Sequence, residues 1–157
     1  MSIPGFTDHA ETLDGRRIAW SEGGAGPPLL LLHGFPQTRA LWARVAPALA
    51  RTHRVVCPDL RGYGASCKPA DVAAYSFREM ARDQTALMAR LGHDRFAVAG
   101  HDRGGRVAHR LALDAPGRVA RLSVMDIVPT HTLLEPLRRD VAQSYYHWFF
   151  LAQPEPF

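Results

Sequence analysis

Between residues 27 and 33 the chain reads PPLLLLH, apolar at successive positions rather than at alternate ones. That pattern suits a strand buried on both faces. HRVVCPD (53–59), RFAVAGH (95–101) and VARLSVMD (119–126) are the other buried-strand segments. Between them the apolar spacing lengthens. Leu41, Trp42, Val45 and Leu49 recur at helical intervals after Thr38, a residue that caps helix starts. Ser76-Phe77-Arg78-Glu79 has the form of a capping box opening a helix that Gly92 ends. RGGRVAHRLALDAP supplies a third helix. Near the start, residues 6–21 alternate loosely around Asp14-Gly15, a dipeptide suited to a hairpin turn. Strands that alternate with helices predict an α/β fold: a mostly parallel sheet with helices on both faces, because parallel neighbours need crossover connections.

Composition leaves that reading in place. A chain of 157 residues, 46% hydrophobic and 22% charged, is ordinary for one globular domain. The formal charge of +4 is scattered rather than gathered into a basic run or helix face, so nucleic acid is not the expected partner. Cys57 and Cys67 lack metal-ligand spacing and read as reduced, structural thiols. MSIPGFTDHA has no secretory pattern and PPLLLLH is too short to span a bilayer, so no membrane role is expected and the compartment is read as cytoplasmic.

In an open parallel sheet, ligands bind beyond the carboxyl ends of the strands. The residues at those ends are 33–36, Asp59, 101–106 and Asp126. Gly100-His101-Asp102-Arg103-Gly104 has the small-x-nucleophile-x-small spacing of a strand-to-helix elbow, with Asp102 in the nucleophile's place. A carboxylate is already ionised at neutral pH and can displace a leaving group from a saturated carbon without a base. The alternative for Asp102 is a helix N-cap. Arg103 and Arg106, three apart on one helix face, would weaken a lone carboxylate nucleophile. They make sense as a clamp for a substrate that is itself a carboxylate. Their alternative is ion pairing with Asp83 or Asp114.

With GHDRGGR, HGFP, DLRGYG, SVMD and YYHW together, the chain resembles the α/β-hydrolase superfamily over nearly its whole length. Within it the resemblance is to the aspartate-nucleophile branch, and most closely to the haloacetate and fluoroacetate dehalogenases. Relatives acting on neutral haloalkanes carry tryptophan where this chain has Arg103. The resemblance implies hydrolytic dehalogenation of a 2-haloacid to the 2-hydroxy acid through an ester on Asp102, without cofactor or metal. It also implies that Phe35 and Arg103 donate backbone N–H groups to the oxyanion, that Asp126 orients the catalytic histidine, and that His147 and Trp148 hold the halide from a cap. For Asp126 a turn or cap role before Pro129 stays open, and for Tyr145, Tyr146 and Phe149 a plain core role does.

The same resemblance puts the catalytic histidine after the last strand of the sheet, and no histidine of this chain has that location. The expected organisation is residues 1–129 as the N-terminal part of the hydrolase core and residues 130–157 as the beginning of an incomplete helical cap, hence a truncated fold and an inactive fragment. The expected partner is a small anionic substrate, and the complete enzyme is compatible with a homo-oligomer. Epoxide hydrolysis, which uses the same nucleophile, and an inactive fold remnant are the competing functions.

Overall fold

Asp14 and Gly15 both adopt positive φ, 48° and 76°. A two-residue turn of that hand matches strand twist and closes a tight hairpin. It joins β1 (Thr7–Leu13) to β2 (Arg16–Gly23), with Leu13 opposite Arg16. The computed structural model describes residues 2–135, 139–146 and 148. These fall into two compact units, Met1–Ile127 and Val128–Phe157.

The first unit is built on one sheet. After the hairpin come β3 (Pro28–Leu32), β4 (Arg54–Pro58), β5 (Phe96–His101) and β6 (Val119–Met125), in spatial order β1-β2-β4-β3-β5-β6. The pairs β4–β3, β3–β5 and β5–β6 are parallel, whereas β2 meets β4 antiparallel. The continuous apolar runs are explained by cover on both sides. Leu30, Leu32, Val56 and Val98 face Met80, Leu87 and Met88 of α2 (Phe77–Arg90) and Val107 and Leu111 of α3 (Arg103–Asp114). Leu31, Val55 and Cys57, one step out of phase, pack on Ile3, Trp42 and Ala46. Each such aliphatic side chain contributes about 1.5–3 kcal/mol through burial. Burial also pushes the Cys57 thiol up to about 12, against the opposing pull of Arg39, so it stays protonated. β6 differs from the central strands: Leu122 and Val124 remain more than a third exposed.

Two helix starts depart from expectation. The single helix expected after Thr38 is a 3₁₀ turn (Arg39–Arg44) followed by the short α1 (Ala46–Leu49). Pro47 accounts for the break, since it lacks an N–H and its ring would clash with the carbonyl four residues earlier. Trp42 is thereby buried and Val45 left exposed. At α2, Ser76 Oγ accepts from the Glu79 N–H at 3.3 Å, which is half of a capping box. The return bond is replaced: the Ser76 N–H donates to the Ala73 carbonyl, and the Glu79 carboxylate pairs with Arg82 and Arg16. Gly92, at φ 78°, ends the helix as expected.

The loop after β4 is locked to α2 by a buried fork. Arg61 Nη2 and Nε donate to the two carboxylate oxygens of Asp83 at 2.6 and 2.8 Å, and Arg16 adds a third contact at 3.3 Å. The second unit contains α4 (Thr130–Leu134) and α5 (Arg139–Ser144). Among the described residues no helix is long and apolar enough to cross a membrane.

Candidate active site

The register of the two central strands builds the site. Leu32 lies opposite Gly100, so the loop leaving β3 and the turn leaving β5 emerge side by side. The crossing is tight enough to require glycine. A Cβ on Gly100 would run into the Gly104 carbonyl, and one on Gly104 would run into the carbonyls of Leu32 and His33. Between these glycines Asp102 sits at φ 50°, ψ −118°, a conformation side chains rarely adopt. Its N–H is fixed by the Met125 carbonyl at 3.0 Å.

The strained turn aims the Asp102 carboxylate at the β3 loop. The Phe35 N–H donates to Asp102 Oδ1 at 2.8 Å, across 67 positions of sequence. Asp102 occupies the N-cap position of α3, but its side chain makes no capping bond there. Gly34 must lack a side chain here, because its Cβ would stand 2.6 Å from that of Asp102. The Phe35 side chain itself is exposed, so the residue serves the site through its backbone.

Arg103 and Arg106 follow on α3. Arg106 is buried, and Arg103 is half-buried with its guanidinium carbon 5.8 Å from the centre of the Phe77 ring. Asp83 pairs with Arg61 and Arg16, and Asp114 with Arg110 and Arg78. Tyr63 belongs to the same neighbourhood. Burial pushes its phenol up, the Arg103 charge pulls it back and the Asp102 charge adds to the rise.

Asp126, at the end of β6, has φ 57° and an exposed carboxylate. Its Oδ2 lies 3.5 Å from Nε2 of His101, the residue just before Asp102. It does not cap α4, whose N-cap is Pro129. In the second unit the Tyr145 and Trp148 rings meet edge to face at 5.3 Å. His147 lies outside the described residues.

Two contributors, Tyr63 and Phe77, were not singled out in sequence, and His33 was placed there only as a residue at a strand end. His33 is fully buried: its Nδ1 faces the Gly34 carbonyl at 2.9 Å, while its Nε2 accepts from the Leu60 N–H at 2.9 Å. Burial holds it below its ordinary 6.5, favouring the neutral ring that this pairing requires. Tyr63 packs edge-on to it at 5.2 Å. Phe77, read only as a helix-start residue, supports Arg103. DLRGYG pointed to a loop at the strand end, but nothing in the linear pattern pairs residue 77 with residue 103. Behind them, Asp59 accepts from the Arg39 and Ala65 N–H groups, each at 2.9 Å, and pairs with the Arg39 guanidinium. Among the described residues no cluster of three or more histidine, cysteine or acidic side chains could hold a metal.

Comparison with known proteins agrees with this architecture. Residues 27–151 match the alpha/beta hydrolase fold family. A fluoroacetate dehalogenase from Burkholderia sp is 59% identical over 138 residues, covering 86% of this chain and 45% of the relative. A soluble epoxide hydrolase from Corynebacterium sp. (strain C12) is 43% identical over 124 residues, covering 79% of this chain and 43% of that protein. The crystal structure of a candidate α/β hydrolase from Nostoc sp PCC 7120 superposes with a TM-score of 0.94 at 49% identity, covering 98% of this chain and 54% of that one. The chain thus spans about half the length of the relatives it matches.

Proposed function

The chain belongs to the alpha/beta hydrolase fold family, and from that premise we propose that it carries the nucleophile half of a hydrolytic dehalogenase acting on a short 2-haloacid such as fluoroacetate or chloroacetate. The observation that carries the reading is the Asp102 carboxylate, presented on a strained elbow with the Phe35 N–H on Oδ1. An Asp102 oxygen attacks the carbon bearing the halogen, the carbon–halogen bond breaks, and halide leaves with the bonding pair. The product is a carboxymethyl ester of Asp102. Water then adds to the ester carbonyl carbon, losing a proton to a base. The oxyanion that forms sits where the Phe35 N–H already points, with the Arg103 N–H as its expected second donor. Collapse breaks the bond to the carboxymethyl oxygen, which takes the proton back from the base and leaves as glycolate. The Asp102 acid so formed loses its proton to water, restoring the carboxylate.

Arg103 and Arg106 give the reading its substrate class. Forked donors beside an anionic nucleophile suit a substrate carboxylate, whose bound charge offsets theirs and whose neighbouring carbon is then held for attack. His147 and Trp148 are the proposed halide donors, and Asp126 the proposed partner of the base. A leaving fluoride, being strongly basic, calls for such donors.

Epoxide hydrolysis is the second reading, favoured by the Corynebacterium sp. relative. It shares the aspartyl ester but needs a proton donor for the epoxide oxygen and gains nothing from an arginine pair. Halide release from fluoroacetate and chloroacetate, measured beside diol formation from styrene oxide, separates the two. Diol without halide overturns the dehalogenase reading; neither product favours a fold without this chemistry. With the 157-residue chain, chloroacetate is expected to add one carboxymethyl group at Asp102, seen by intact mass and peptide mapping. Sustained glycolate production would assign the base to a histidine of this chain, with His101 the first to test.

A further inference from the structure

The Phe77 ring lies under the Arg103 guanidinium at 5.8 Å, within the distance at which a cation is attracted to an aromatic face. Among the described residues the Arg103 guanidinium has no hydrogen-bond or ion-pair partner, and the Phe77 ring lies against it. Phe77 does not float. It opens α2, directly after the Ser76 cap, and packs against the main apolar core. Tyr63, also seated on that core, contributes a second aromatic side chain whose ionisation senses both Arg103 and Asp102.

We infer that Phe77 is a positioning residue for anion recognition: its ring fixes the Arg103 guanidinium beside Asp102 while leaving the N–H fork unspent for the carboxylate of the substrate. A carboxylate partner would have held Arg103 as firmly, but it would have occupied the donors and cancelled the charge that attracts the substrate. An aromatic face restrains the cation without doing either. The inference rests on the proposed clamp role of Arg103 and extends it to a residue on another helix, and it makes short carboxylates, rather than neutral halides, the class selected.

The test uses acetate, an unreactive carboxylate, followed through the Arg103 Nε–H resonance. In the wild-type protein the side-chain protons of Arg103 are expected upfield, from the ring current of Phe77, and the Nε–H signal is expected to move on acetate addition. Phe77→Leu should abolish the upfield shift and raise the acetate dissociation constant about three- to tenfold, the scale of a partly desolvated cation–aromatic contact. Phe77→Trp should restore most of the affinity. Chloride release distinguishes positioning from collapse of the fold: Phe77→Leu should raise the half-saturating chloroacetate concentration while leaving the response to neutral chloroacetamide unchanged. An acetate affinity in Phe77→Leu equal to wild type overturns the role of Phe77 alone. Absence of any acetate response at Arg103 in the wild-type protein overturns the clamp itself, and the inference with it.

Discussion

At the scale of single residues, the site rests on side chains held in states they would not adopt free in water. Asp102 is the clearest case, since its positive φ costs free energy that only the surrounding glycine packing can offset. Asp102→Asn keeps the shape but replaces an anion with a neutral amide. It should remove carboxymethylation by chloroacetate, and continued labelling at that position in mass spectra would refute the nucleophile assignment. His33 makes a pH prediction. Its folded value lies below 6.5 because burial disfavours the charged ring, and His93 is lowered for the same leading reason. The unfolded chain therefore binds more protons below about pH 6.5, so stability is fully present above that value and falls as pH drops through the folded values. Thermal midpoints should decline from about pH 7 to 5 as these histidines protonate. A His33 ring that titrates at its ordinary value by NMR would remove it from that account. The elbow around Asp102 and the glycine loop that meets it were legible in sequence because such a turn has a fixed spacing. Phe77 and the His33 link were not, because each depends on which distant loop the fold brings near.

At the scale of elements, glycine decides how closely α3 approaches the sheet. Gly104→Ala would press a methyl group into the backbone carbonyls of Leu32 and His33, which cannot move aside as a flexible side chain could. We expect a loss of about 1–3 kcal/mol in chemical denaturation, the usual cost of overpacking, together with loss of the Phe35–Asp102 contact. An alanine variant as stable as wild type would show that the helix can pivot. Apolar periodicity located β3, β4, β5, α2 and α3, since long or continuous patterns survive local irregularity. It misjudged the segment after Thr38, where one proline outweighs four well-spaced apolar positions. It also overstated the Ser76 cap, because Glu79 has arginines within reach that a linear pattern does not reveal.

At the scale of the molecule, the loop after β4 is tied to α2 by the buried Arg61–Asp83 fork. Asp83→Asn leaves a guanidinium buried without its charge partner, which typically costs about 3–5 kcal/mol. Thermal melting should fall accordingly, with a smaller drop if Arg16 alone is removed, because that arginine remains partly in water. An Asp83→Asn protein that melts with the wild type would mean the fork contributes only specificity. The pairing of β3 with β5 has one more consequence. The Phe35 amide reaches Asp102 only when Leu32 stands opposite Gly100, and a slip by one residue would carry the donor about 3.3 Å along the strand. That single proton is therefore a vernier for the alignment of the sheet: its chemical shift and exchange rate should report, before any substrate is added, whether a refolded or mutated chain has matched its two central strands.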